Sequence, residues 1–377
     1  MQITDYPYIV FYLFLFVCFV AHLKKPSKYI AWAAFGATFC FAALRAPSVG
    51  ADTLNYVRYL TGERSFYNYD ARDLEFLFVL YRNIVDYCTN SRLVVMIINT
   101  IVTMFPLYLV VKRYSNNPPL SIIFFFAVNG MMVYFVGLRQ VIGLAFVLLA
   151  FLYIWNGKLT RMKVPLVVLF IIISIFFHTY SIVVTAVFLL VTMIHVKTKS
   201  PLYIGAIGSF MLGAIADFFS VEKFFTTYLS FGFAATSRLD VYMSMTDTLG
   251  KTVPILVLIV FLTSVVMIRC LNYEKIDSPF MKIFIIGVMI SNLFYPIPML
   301  SRVATPFVIF GGIPVTWLFC RDYTIQNISR RTIVFIGFCI SLMLFGKCIK
   351  DNMSCDTTSL DQMHPYKLFI QEYKGKN

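Results

Sequence analysis

Long apolar runs, broken by short charged connectors, recur along the whole chain. They cover roughly 6–23, 30–46, 92–111, 119–136, 138–156, 164–177, 179–195, 201–220, 253–270, 281–297, 303–320 and 332–348. The runs are continuous, as in membrane-crossing helices, and lack the alternation of barrel strands. The expected fold class is all-α, a polytopic membrane protein with about 12 transmembrane helices. The connectors leave no room for a soluble domain, so residues 1–377 are expected to form one multi-span membrane domain. Run 6–23 has no basic stretch before it and no small-residue cleavage site after it. It reads as a retained helix rather than a signal peptide.

The connectors also predict sidedness. Connectors 24–28, 112–113, 157–163, 197–199, 269–275 and 321–331, with the adjoining Asp277, hold 15 Lys and Arg against three acidic residues, Glu274, Asp277 and Asp322. Outside them, and leaving aside Lys282 within a run, the chain carries 16 basic and 15 acidic residues. Basic connectors stay in the cytoplasm, which predicts both termini on the outer, periplasmic side. One stretch tests this register. Residues 164–195 could form a single long helix, but its two basic flanks would then lie on opposite sides. Two passes, with a turn near 176–181, keep both flanks inside. Each arm is short, about 21 Å for 14 residues against about 30 Å of hydrocarbon, so His178 is expected below the outer surface beside a cavity.

Three external segments remain, about 46–91, about 221–252 and the tail 349–377. Composition agrees with the membrane reading. The chain is 59% hydrophobic and 13% charged, where soluble domains carry about a quarter charged residues. The net charge of +14 invites a nucleic-acid reading, but the basic residues are dispersed over the connectors and mark topology instead. No GxGxxG, P-loop, HExxH or CxxC occurs, and no carboxylate pair has metal-ligand spacing, so neither metal nor cofactor is expected. Cys88, Cys348 and Cys355 fall on the outer side, where a disulfide is permitted.

Four arginines mark the outer edge: Arg45, Arg58, Arg139 and Arg302. Each could snorkel to lipid phosphates. Four on the less basic side oppose the usual charge bias, and a guanidinium fork matches pyrophosphate oxygens. Arg139 and Arg302 sit at span ends and are the stronger candidates; Arg45 could equally pair with Asp52 to fix its loop. His178, at the inferred turn, is either a structural hydrogen-bonding residue or a proton-transfer group. Asp52 rivals it as base, or it caps a helix beginning near Thr53, or it orients an arginine. Glu75 opens an amphipathic segment, EFLFVLYRNIVDYC, and its simplest reading is the start of that helix.

With these positions placed, the chain resembles the EpsG group of Wzy-type polysaccharide polymerases. The pieces that carry the resemblance run along the length. They are Arg45 with Gly50, Asp52, Thr53 and Tyr56; Glu75 in LEFLFVL; Leu138-Arg139-Gln140; FHTYS with His178; Arg302 in SRVATPF; and Pro365, Tyr366 and Phe369 near the end. The resemblance implies a GT-C-like glycosyltransferase of the bacterial inner membrane, making an O-antigen, capsule or exopolysaccharide. Such an enzyme joins undecaprenyl-pyrophosphate-linked oligosaccharide units, donor and acceptor, at the periplasmic face, with membrane lipid and a chain-length regulator as further partners. It implies pyrophosphate binding by Arg139, Arg302, Arg45 and Arg58, catalysis by His178 or Asp52, and sugar contacts from Glu75, Tyr56 and Gln140. Two other classes fit the arginines and the spans: a flippase or exporter of lipid-linked saccharide, and a membrane O-acyltransferase using His178.

Overall fold

The computed structural model describes residues 6–50, 52–63, 74–128, 130, 134–135, 137–155, 161–218, 255–296, 302–318, 366 and 368–370. Among them every regular element is helical, and the β contact is an isolated bridge between Arg45 and Leu368. The helices are α1 (Tyr6–Lys24), α2 (Lys28–Ala43), α3 (Thr53–Leu60), α4 (Phe76–Cys88), α5 (Arg92–Tyr114) and α6 (Pro118–Ala127). They continue as α7 (Leu138–Trp155), α8 (Val164–Phe177), α9 (Ser181–Met193), α10 (Ser200–Phe218), α11 (Ile255–Cys270) and α12 (Pro279–Phe294). A last segment breaks into short turns, Arg302–Ala304 and Ile309–Gly311 as 3-10 helix, Thr305–Val308 and Gly312–Trp317 as α-helix. The segment 221–252, expected to be external, the run 332–348 and most of the tail lie outside the described residues.

Local chemistry sets the boundaries. Ser27, Ser91 and Asn117 cap α2, α5 and α6 by accepting bonds from Tyr29 N, Val94 N and Leu120 N. Prolines stand at the first turn of α6, α8 and α12, where a missing N–H costs no hydrogen bond. Among the described residues four helices, α1, α5, α7 and α10, are long and apolar enough to cross a membrane, and α6, α8, α9, α11 and α12 are apolar but shorter. The described part of the chain is thus all-helical, with the apolar helices of a multi-pass membrane protein.

Ring contacts give the packing directions. Phe11, early in α1, stacks on Phe41, late in α2, at 4.2 Å, and Lys112, late in α5, lies 5.4 Å over the Trp32 ring, early in α2, so each pair runs antiparallel. Phe177 of α8 lies on Phe146 of α7 at 5.6 Å, and Phe170 faces Tyr153 at 6.2 Å, again antiparallel. α9 returns parallel to α7, with Ser181 against Gly143 and Phe188 at 5.1 Å from Phe151. The 164–195 stretch is therefore two arms with a turn at residues 178–180, the register that the basic flanks required.

The described basic connectors gather at one end of the bundle. There Lys199 Nζ donates to Arg269 O and Leu271 O, and Lys282 Nζ to Ile194 O and Asp277 Oδ1. At the other end the chain leaves α2, turns at Gly50 with φ +102°, and enters α3. A Cβ at Gly50 would stand 2.7 Å from Thr53 Oγ1 and 3.3 Å from Phe135 Cβ, so the loop can pass this close to Phe135 only with glycine. α4 lies at this second end, with Tyr81 bonded to Asn99 of α5 and its ring on Phe177 of α8. The opposite face of α4 exposes Phe76, Leu80, Ile84 and Tyr87.

Candidate active site

The site assembles where α4, α7 and the α8–α9 turn meet. Glu75 holds the N-cap position of α4 with extended backbone (φ −61°, ψ 138°), yet its side chain makes no cap bond. It is spent across the bundle instead. Its Oε2 accepts from Arg139 Nη1 at 2.7 Å and its Oε1 lies 2.8 Å from His178 Nδ1. Burial works to raise the Glu75 carboxyl, but the His178 hydrogen bond and the Arg139 charge prevail and hold it at about 2. The carboxylate is therefore ionised at neutral pH and can only accept. It follows that Nδ1 of His178 carries the proton, leaving the Nε2 lone pair free in the neutral ring. Nε2 has no partner among the described residues.

The turn that carries His178 is built for this role. His178 ends α8 in extended conformation (φ −163°, ψ 120°), which swings its side chain out of the helix register. Its N–H donates to Ser174 O, and Ser181 N donates back to His178 O. Gly143 of α7 lies behind the turn. A Cβ there would stand 2.3 Å from Ser181 Oγ, 3.2 Å from Ser174 O and 3.6 Å from His178 Cβ. Tyr180 then ties the turn to a distant segment, donating from its hydroxyl to Val303 O at 2.7 Å.

That bond ties the Arg302–Ala304 turn to Tyr180, two residues after His178; the Arg302 side chain lies outside the described part of the structure. Arg139 starts α7 and shares a hydrogen bond with the Tyr56 hydroxyl of α3. Tyr56 is buried edge-on against Phe78, at 5.9 Å between ring centres. Burial raises its phenol, against the lowering pull of Arg139. Asp52 occupies the N-cap position of α3 without a side-chain cap bond, and its charge bears on Tyr56. Gln140 follows Arg139 and is half-buried. Glu75, Arg139, His178 and Tyr56 are thus one connected cluster, with Asp52 at its edge.

The two remaining arginines stand elsewhere. Arg58 lies beyond Tyr56 on α3 and bears on Glu63, which Arg92 holds through both carboxylate oxygens. Arg45 is 6% exposed and does not pair with Asp52. Its guanidinium donates to Ala42 O, Val49 O and Thr53 Oγ1, because the loop 45–53 folds back over the end of α2. Beside it is a cavity of about 20 Å³, lined by Arg45, Thr53, Tyr56, Asn99, Thr103 and Tyr134, with room for about one water. Such a water would serve the buried Tyr134 hydroxyl, which has no partner among the described residues. Cys88 is an exposed free thiol; Cys348 and Cys355 lie outside the described residues.

Sequence reasoning singled out Arg139 and His178 but gave Glu75 no part in joining them. Gly143 and Tyr180, which position the turn, went unnoticed. The LRQVIG spacing, with a glycine four residues after Arg139 on one helix face, was the available signal for Gly143.

No curated protein and no solved structure matches the chain. The model of the EpsG family matches residues 28–368, a span that includes every member of the cluster. The chain belongs to the EpsG family, a family of Wzy-like polysaccharide polymerases.

Proposed function

We propose that this protein is a polymerase of the bacterial inner membrane that joins oligosaccharide units carried on undecaprenyl pyrophosphate. It works at the outer face as a glycosyltransferase of GT-C-like architecture, with twelve spans and both termini outside. Support for the sidedness comes from the gathering of basic connectors at the end opposite the cluster. The one observation that carries the chemical reading is the Glu75 carboxylate bridging Arg139 and His178.

The chemistry runs as follows. The hydroxyl of the acceptor sugar attacks the anomeric carbon of the donor, and its proton passes to His178 Nε2. The bond from that carbon to the pyrophosphate oxygen breaks, and undecaprenyl pyrophosphate leaves with the electron pair. Arg139 and Arg302 stabilise the charge gathering on the leaving group. Glu75 fixes the tautomer of His178 and stabilises its charged form once the proton arrives. His178 is preferred over Asp52 as base because its outer nitrogen is free while the inner one is held. The exposed stripe Phe76, Leu80, Ile84 and Tyr87 begins next to Glu75, and it suits an isoprenoid chain or the lipid interface.

The test is polymer length in cells lacking the gene. A polymerase defect leaves single repeat units on the surface, and His178→Ala supplied in trans leaves them unextended. Loss of all surface saccharide would identify a flippase instead, and full-length but unacylated chains an acyltransferase; either result refutes the reading.

A further inference from the structure

The chemistry above makes no use of the terminal Pro-Tyr-x-x-Phe pattern, yet its described residues dock at the same end of the bundle. Tyr366 is 7% exposed; its ring stacks on Phe41 at 4.4 Å and meets Tyr8 edge-on at 5.3 Å. Its hydroxyl donates to Phe41 O at 2.7 Å. Phe369 N donates to Leu44 O at 2.9 Å, and Leu368 forms the bridge with Arg45. A segment more than 300 residues away in sequence thus clamps the last turn of α2 and the two residues after it, Leu44 and Arg45.

The clamped arginine is the junction of two arms. Arg45 reaches Thr53 Oγ1, at the start of α3, at 3.4 Å, and its guanidinium lies 3.8 Å over the Phe135 ring. Thr53 Oγ1 donates in turn to Phe135 O at 2.6 Å. One arm, α3, carries Tyr56 one turn later; the other leads from Phe135 to Arg139 four residues on. The arms rejoin at the Tyr56–Arg139 hydrogen bond. A buried guanidinium is costly unless its donors are used, and here no carboxylate balances it among the described residues. Its planar fork donates to two carbonyls and a hydroxyl at once, which an ammonium on a flexible stem cannot reproduce.

We propose that Tyr366 and residues 368–370 form a strap that fixes the placement of Arg139 through Arg45 and Tyr56, and that Tyr366 and Arg45 are positioning residues. This deepens the polymerase reading and rests on it. It also gives Arg45 a role different from pyrophosphate contact. The strap sets the distance between the arms, so its loss lets Arg139 drift from Glu75 and His178 while the bundle stays folded.

The experiment uses the full chain in lipid vesicles, comparing wild type, Tyr366→Ala, Tyr366→Phe, Tyr56→Phe and the Tyr366→Ala/Tyr56→Phe pair. Hydrogen exchange needs no substrate. In Tyr366→Ala it should quicken at 53–60 and 135–140, and in Tyr366→Phe, which keeps the stacked ring, it should stay near wild type. With lipid-linked repeat units, kcat of Tyr366→Ala should fall roughly tenfold to a hundredfold, because small misplacements at a reacting centre cost that much. KM should rise as well, though less than in Arg139→Ala, because the residue that drifts also holds the pyrophosphate before the reaction. Tyr366→Phe should stay within about tenfold, the loss of one hydrogen bond. The paired variant should be no more than about twofold slower than the worse single one, since both break one path. Faster exchange that stops at residue 46, or defects that multiply in the pair, would overturn the strap. A wild-type chain that makes no polymer would sink the polymerase reading, and the exchange pattern would still decide the strap alone.

Discussion

Glu75→Gln is the most informative single change, because the amide is isosteric but cannot satisfy both neighbours. The carboxylate accepts from Arg139 Nη1 at 2.7 Å and from His178 Nδ1 at 2.8 Å. A glutamine offers one acceptor and one donor. With its oxygen toward His178, its NH2 faces the Arg139 donors, an unfavourable contact beside a half-buried charge. With its oxygen toward Arg139, its NH2 points at Nδ1, which must then accept, so the imidazole proton moves to Nε2. The second arrangement keeps the stronger, charge-assisted bond and is the expected one. It places a proton on the nitrogen that should take one. General-base catalysis is worth about 10²–10⁴-fold, so kcat should fall by about that factor with KM little changed. Replacing the bond to Arg139 by a neutral one should also cost about 1–2 kcal/mol of stability. The assay is elongation of a purified lipid-linked repeat unit, with the melting temperature of the same preparation alongside. Polymerisation of Glu75→Gln within a few-fold of wild type would refute both the tautomer assignment and the role of Glu75.

Three further outcomes follow from the geometry. Gly143→Ala should slow elongation and lower stability by about 1–3 kcal/mol, because its Cβ would press on Ser181 Oγ, and Ser181→Ala in the same chain should recover part of both. Persistence of the full defect in the pair would argue against this packing. The folded Glu75 carboxyl sits at about 2, below its ordinary 4.5, so its contribution to stability is fully present above pH 4.5 and is lost as pH falls from 4.5 towards 2. Melting of the wild type should show that extra acid loss and Glu75→Gln should not; equal acid limbs would contradict the ion-pair geometry. Arg45→Lys should lower the melting temperature, since an ammonium cannot serve Ala42 O, Val49 O and Thr53 Oγ1 together, and an unchanged melt would exclude that.

Much of the scaffold was legible in the sequence because hydropathy and the placement of Lys and Arg report directly on the bilayer. Even the turn at His178 could be placed, since basic flanks at both ends of 164–195 allow only a double pass. The site was half legible. Arg139 and His178 stood out as polar groups at span ends, but their joining by Glu75 depends on contacts 64 and 103 residues apart in sequence, which no local pattern encodes. Glu75 therefore looked like a helix start, and it does hold that position while its carboxylate works elsewhere. An ion pair of Arg45 with Asp52, seven residues on in one polar loop, was as open a reading of the sequence as pyrophosphate binding by Arg45. The loop instead folds back, so that carbonyls of α2 and its own turn reach the guanidinium first.

The central claim is that Glu75 holds His178 as a base and Arg139 as an anion ligand in one external site for lipid-linked saccharides. Its most direct measurement is elongation by the purified chain, followed beside binding of the lipid-linked unit, in wild type, His178→Ala and Arg139→Ala. The account predicts a ladder of polymer and released undecaprenyl pyrophosphate from wild type, retained binding without a ladder from His178→Ala, and loss of both from Arg139→Ala. A normal ladder from His178→Ala, or undiminished binding by Arg139→Ala, would contradict it.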